Sequence, residues 1–238
     1  MAKPIVEMEV EDVVLETPDT KTIRLRWPDG YDVPFQTGQF ITLYWPDTPE
    51  YKRAYSLSSC ALDRGFYEIS VRRDGKMGTR LVDWIRPGDR LMVIPPVGRF
   101  VPVFEPDKHL VCAAGGSGVA PFRGFVREAT RRKLPTRITV LYSVRTPRDI
   151  VFEKEFRVLE TQNPHFRFKV TCTRVGEQDG WPGRRGRVDL AWLKEHMDDP
   201  AQTIFYACGP TAFVEHVEKL VLEGLGLPKG QMKCEKWG

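Results

Sequence analysis

The chain has 238 residues, 41% hydrophobic and 29% charged, a composition that supports one large core or two modest ones. Its 36 basic and 32 acidic side chains leave a formal charge of only +4, and no nucleic-acid-binding module is recognisable, so a polyanion-binding role is set aside. Five widely spaced cysteines (Cys60, Cys112, Cys172, Cys208 and Cys234) argue against a disulfide framework, and their spacing contains neither a C-x-x-C site nor the C-x₄-C-x₂-C run of an iron–sulfur cluster.

The N-terminal segment carries acidic side chains where a signal peptide would be apolar. Residues 110–122 form the most apolar run, yet they are too few and too glycine-rich to span a bilayer, which needs about 20 residues. The expectation is a cytoplasmic protein without a membrane segment or a metal site. From residue 5 to about 104, short β-rich runs alternate with turn residues. Strands are predicted at 6–16, 22–27, 39–45, 54–59, 66–72 and 90–95, with a short helix at 79–85. Six short strands at this spacing predict a small antiparallel barrel. After Glu105-Pro106-Asp107 the rhythm changes. Strands at 109–114, 137–143, 166–173, 203–208 and 231–236 alternate with helices at 120–132, 152–161, 190–196 and 211–223, the pattern of a doubly wound parallel sheet. The predicted organisation is therefore β plus α/β in two domains, residues 1–105 and 106–238.

Three segments carry chemistry by their residue types. The turn Asp74-Gly75-Lys76-Met77-Gly78-Thr79 leads into a helix, whose free N–H groups and dipole favour an anion; an ordinary turn with Thr79 as N-cap is the competing reading. The turn Gly115-Gly116-Ser117-Gly118-Val119-Ala120-Pro121 follows a strand and precedes a helix. Its glycines let backbone approach a pyrophosphate, and Pro121 is tolerated at a helix start. Arg53-Ala54-Tyr55-Ser56 alternates as an exposed strand does and by itself is ordinary surface. Likewise Cys208, before Gly209-Pro210, would by default be a small apolar filler.

Taken in order, Arg53-Ala54-Tyr55-Ser56, the glycine turn ending at Pro121, Cys208-Gly209-Pro210 and the terminal Glu235-Lys236-Trp237 resemble the ferredoxin–NADP⁺ reductase family over most of the chain. Pro95-Pro96-Val97-Gly98-Arg99-Phe100 also resembles that family's G-P-x-G-x-F turn, with Pro95 in place of a glycine, and Tyr142–Asp149 resembles a segment lining its cofactor cleft. The resemblance implies a flavin, FAD in preference to FMN, held by Arg53, Ala54, Tyr55 and Ser56 and by the turn at Lys76, Met77, Gly78 and Thr79. It implies that Gly116, Ser117, Gly118 and Pro121 hold a nicotinamide dinucleotide, with Cys208, Gly209 and Pro210 beside its ring and Trp237 stacked on the flavin. Ser56, Cys208 and Glu235 become the candidate catalytic residues. Arg174, Arg184 and Arg185 are candidates for a 2′-phosphate, which would favour NADPH over NADH; a solvated basic loop is the other reading.

The implied activity is transfer of electrons from NAD(P)H to a separate one-electron acceptor, a ferredoxin or similar small protein, with an oxygenase system as one setting for it. A free-flavin or quinone reductase of the same fold, or a nucleotide-binding electron-transfer subunit without turnover, are the alternatives.

Overall fold

A computed structural model describes residues 5–238; the first four residues of the N-terminal segment lie outside them. The first sheet contains β1 (Val6–Thr17), β2 (Thr20–Arg26), β3 (Phe40–Tyr44), β4 (Arg53–Ser56), β5 (Phe66–Arg72) and β6 (Arg90–Val97), in the order β4-β3-β6-β1-β2-β5. Every pairing is antiparallel. An antiparallel bridge between Leu57 and Ile69 joins the two edges, so the predicted barrel closes. Alternation decides which side chains fill it: Met8 and Val10, Ile23 and Leu25, Ile41 and Leu43, Tyr67, Ile69 and Val71, and Leu91 and Val93 all turn inward. Pro95 and Pro96 lie where the β3–β6 register slips, since neither offers an N–H to the ladder.

Helix α1 (Gly75–Trp84) adds Met77, Leu81 and Val82 to that core. It starts four residues before the predicted 79. Asp74 stands at its extended N-cap, and Gly75 enters with φ +59°, a left-handed conformation that glycine adopts at little cost. Thr79 therefore lies within the helix and faces solvent.

The second sheet is parallel and ordered β10-β9-β8-β7-β11-β12, built from β7 (His109–Gly115), β8 (Arg137–Val144), β9 (Phe166–Cys172), β10 (Arg184–Arg185), β11 (Thr203–Pro210) and β12 (Met232–Trp237). Its central strand, β7, is buried throughout. Helices α2 (Ala120–Arg131) and α3 (Glu153–Gln162) cover one face through Phe122, Phe125 and Phe156. On the other face lie α4 (Leu190–Glu195) and α5 (Thr211–Lys219), with Trp192, Val214 and Val217. Two details depart from expectation. Residues 184–185 pair with β9 as a short strand rather than a loop, and α5 ends at Lys219, where one wider π-helical turn carries the chain to Gly224. Tyr206 of β11 straps the segment between the two sheets, donating to the carbonyl of Val101 and accepting from the N–H of Val103, each at 3.0 Å.

Candidate functional site

β7 and β11 are neighbours, but the chain leaves them toward opposite faces of the sheet. That reversal makes a crevice at their carboxyl ends, where open α/β sheets bind ligands. The glycine turn sits in it. A Cβ on Gly118 would lie 2.1 Å from the carbonyl oxygen of Cys208, so this glycine lets the turn pack on the end of β11. Parallel pairing then aligns Cys208 with Glu235 and Pro210 with Trp237.

Opposite this crevice the barrel presents β4 and the start of α1. Between them runs a cleft of about 400 Å³, within the size range of ligand pockets. Its walls include Arg53, Ala54, Tyr55, Ser56, Met77 and Gly78 from the first sheet's side and Gly116, Ser117, Pro210, Glu235 and Trp237 from the second's. Residues 179 positions apart meet directly: the Ser56 hydroxyl donates to Glu235 Oε2 at 3.1 Å. Burial pushes the Glu235 carboxyl up to about 7, against the opposing effect of that hydrogen bond. Near neutrality this pair holds a proton that an exposed glutamate would have lost. Burial also raises the Tyr55 hydroxyl, with the Arg53 charge opposing it, so the ring stays neutral.

Other predicted residues lie outside the cleft walls. Cys208 is fully buried in the core that includes Cys112 and Tyr206, and burial pushes its thiol well up. It lies beneath the crevice, beside the Glu235 strand. Gly118, Pro121 and Gly209 are backbone elements of the same turn and strand end. Lys76 reaches outward to the Tyr51 hydroxyl at 3.3 Å, and Thr79 is exposed. Among the basic candidates, Arg184 is neutralised by Asp189 at 2.5 Å and lies over Trp192, while Arg185 donates to the Trp181 carbonyl at 2.7 Å. Arg174 is exposed at the end of β9 and, among the described residues, has no carboxylate partner within ion-pair distance. Its N–H donates to the Arg145 carbonyl at 2.8 Å, which brings a second arginine alongside.

The cleft also takes in Phe40, Ser70 and Arg72. Their strands were legible from the sequence; their place in the site was not, because alternation assigns a side to a residue without saying what faces that side. Arg72 pairs with Asp19 at 2.8 Å and is the nearest neighbour a Cβ on Gly116 would meet, at 3.9 Å.

The cleft fits a flavin and a nicotinamide dinucleotide. Gly75 and Gly116 both line it and both have left-handed φ, +59° and +55°, and a Cβ on either would meet no protein atom closer than 3.9 Å. Each of these glycines thus borders open space at a helical start, the kind of position where free backbone N–H groups favour a phosphate. Tyr55, Phe40 and Trp237 offer flat apolar surface between them.

An antiparallel barrel and a doubly wound sheet sharing one cleft define a two-nucleotide oxidoreductase. Residues 7–101 match the family described as oxidoreductase FAD-binding domain, and residues 112–219 match the oxidoreductase NAD-binding domain. The chain belongs to the ferredoxin–NADP⁺ reductase-like superfamily of FAD- and NAD-binding oxidoreductases. It is 30% identical over 231 residues to the glycine betaine monooxygenase reductase subunit of Chromohalobacter salexigens, an alignment covering 95% of this chain and 62% of that protein. It is 27% identical to a component of the Na⁺-translocating NADH-quinone reductase of Klebsiella pneumoniae, over 92% of this chain and 64% of that protein. The chain thus spans less than two thirds of the length of either relative. Among solved structures, the flavohem-like FAD/NAD-binding domain of nitric oxide dioxygenase from Vibrio cholerae superposes with a TM-score of 0.85 at 25% identity, covering 98% of both chains. Among the described residues no helix is long and apolar enough to cross a membrane.

Proposed function

We propose that this chain is the reductase of a cytoplasmic electron-transfer system, taking electrons from NAD(P)H and delivering them one at a time to a separate carrier, a ferredoxin or an oxygenase component. The observation that carries this reading is the Ser56–Glu235 contact, because it joins the two sheets at the cleft both nucleotides would enter. Residues 1–105 form the flavin-binding unit and 106–238 the nicotinamide-binding unit.

A bound flavin supplies a two-electron acceptor on one side and a one-electron donor on the other. The chain's own residues bind and orient. Arg53 gives a cation for phosphate, and Tyr55 a neutral flat face. The amides beginning at Gly75 and Gly116 receive the two pyrophosphates. Trp237, 37% exposed at the cleft mouth, covers the position the nicotinamide ring takes and must yield to it. The Ser56 hydroxyl donates to Glu235 Oε2, and the Glu235 carboxyl keeps its own proton near neutrality, beside the reacting rings. Cys208, behind them, shapes the pocket through its backbone and volume. Arg174, with Arg145 beside it, favours the extra phosphate of NADPH.

The test is anaerobic titration of the yellow protein with NADPH and with NADH, followed by turnover with ferredoxin, free flavin and quinone as acceptors. Bleaching followed by preferential ferredoxin reduction supports the reading; preferential reduction of free flavin or quinone replaces it with that activity. A protein that is not bleached by either nicotinamide refutes it.

A further inference from the structure

β5 presents two faces. Tyr67, Ile69 and Val71 fill the barrel, so Glu68, Ser70 and Arg72 point the other way. Ser70 and Arg72 line the cleft. Glu68 instead meets α2, the helix that begins at the glycine turn. Arg123 and Arg127, one turn apart, donate to Glu68 Oε2 at 2.9 and 3.1 Å, and Arg24 of the barrel donates to Oε1 at 2.9 Å. One turn further on, Arg131 donates to Asp63 at 2.5 Å. Between the arginines, Gly124 gives closest approach: a Cβ there would lie 2.8 Å from the Ser59 carbonyl oxygen.

The carboxylates are buried, with only 6% of each side chain exposed. Burial opposes ionisation of Glu68, and the surrounding arginines outweigh it, holding its carboxyl below the ordinary value. Such a cluster is costly to assemble and costlier to break in half, which makes it better suited to fixing one geometry than to adding stability. Its place in the fold says which geometry. α2 carries Ala120 at the cleft and the arginine row along its length, and β5 carries Arg72 at the cleft and Glu68 two pleats away. Strand and helix are therefore joined a short distance behind the space the two nucleotides share.

We propose that the Glu68–Arg123–Arg127 cluster is a positioning element for the proposed hydride transfer. It sets how far the glycine turn stands from Tyr55 and Ser56, and so the contact between the two bound rings. Productive transfer needs the reacting atoms about 3–3.5 Å apart, and a displacement of about 1 Å there costs on the order of 10²-fold in rate. This inference rests on the function proposed above, and it adds that residues touching neither nucleotide govern the transfer step.

The experiment compares the purified holoprotein with Glu68→Gln, Arg127→Met and the conservative Arg127→Lys. Four quantities are followed: flavin content, the rate of flavin bleaching at saturating NADPH or NADH, the long-wavelength charge-transfer absorbance, and hydrogen exchange of the amides at 116–120. In Glu68→Gln and Arg127→Met the expected result is retained flavin, nearly unchanged KM, bleaching slowed about 10- to 100-fold, and a parallel loss of charge-transfer absorbance. Exchange at 116–120 should quicken while the barrel strands stay protected. Arg127→Lys should recover most of the rate. Variants that melt earlier yet transfer hydride and form the charge-transfer band as the parent does would overturn the proposal and leave the cluster a purely structural feature. If the parent itself is not bleached, the proposed function fails instead; exchange at 116–120 then decides the cluster, unchanged protection overturning it.

Discussion

Replacing Glu235 with glutamine tests the electrostatics of the cleft independently of any partner. In the folded chain its carboxyl stands at about 7 against an ordinary 4.5, chiefly through burial. At about 1.4 kcal/mol per pH unit, the displacement corresponds to about 3.5 kcal/mol. Solvent reaching the side chain reduces this, so about 2 kcal/mol is the working figure. The sign follows from proton binding. Between about 4.5 and 7 the folded state holds a proton that the unfolded state releases, so the stabilisation is complete below 4.5 and is lost as pH rises through 7. Above that pH the fold bears the cost of a poorly solvated carboxylate. Glu235→Gln keeps an acceptor for the Ser56 hydroxyl and carries no charge, so it lacks this loss. Between pH 5 and pH 8 the stability difference should move in the variant's favour by about 2 kcal/mol, or roughly 4–8 °C in Tm for a chain of this size. The assay is thermal unfolding of both proteins from pH 5 to 9 at constant ionic strength. Parallel Tm–pH curves would refute the reasoning, because they would mean that Glu235 ionises in the fold as it does in water.

Arg53→Ala should weaken flavin retention more than tenfold, the loss of one charge-assisted contact of roughly 1.5–3 kcal/mol, read as the flavin dissociation constant; an unchanged constant removes Arg53 from the site. Arg174→Ala should raise KM for NADPH severalfold with little change for NADH, whereas Arg184→Ala should not discriminate, since Asp189 already engages that guanidinium. Equal losses for both nicotinamides in the Arg174 variant would end the preference for NADPH. Trp237→Ala should tighten nicotinamide binding, measured by titration, and slow product release; unchanged affinity would show that the ring does not occupy the nicotinamide position.

The two-sheet architecture was legible because its signals are local: alternation writes the barrel, and strand–helix rhythm writes the parallel sheet. Local signals also mislead. Thr79 reads as a helix N-cap, but Asp74 and the left-handed Gly75 start α1 one turn earlier. Arg184 and Arg185 look equivalent to Arg174 in sequence, yet Asp189 and the Trp181 carbonyl engage their side chains, and their backbone pairs with β9 as a strand edge. Family resemblance made Ser56 and Glu235 candidate catalytic residues, but their meeting was not legible, since no periodicity connects residues 179 apart. Glu68 gave no signal at all. Its importance depends on the side of β5 it faces and on three arginines from two other elements.

Glu235 and Trp237 belong to β12, an outermost strand of the parallel sheet, which among the described residues pairs with β11 alone. An outer strand detaches at a lower free energy than the layer it rests on, because one ladder opens together with a few side-chain contacts, among them those of Ser56 with Glu235 and of Thr211 with the Trp237 carbonyl. Warming should therefore peel away the strand carrying the cleft's carboxylate and its covering ring while the barrel and β7 remain intact. Activity should then be lost on warming before the chain as a whole melts, through the fraying of the six residues of β12 at one margin of the sheet.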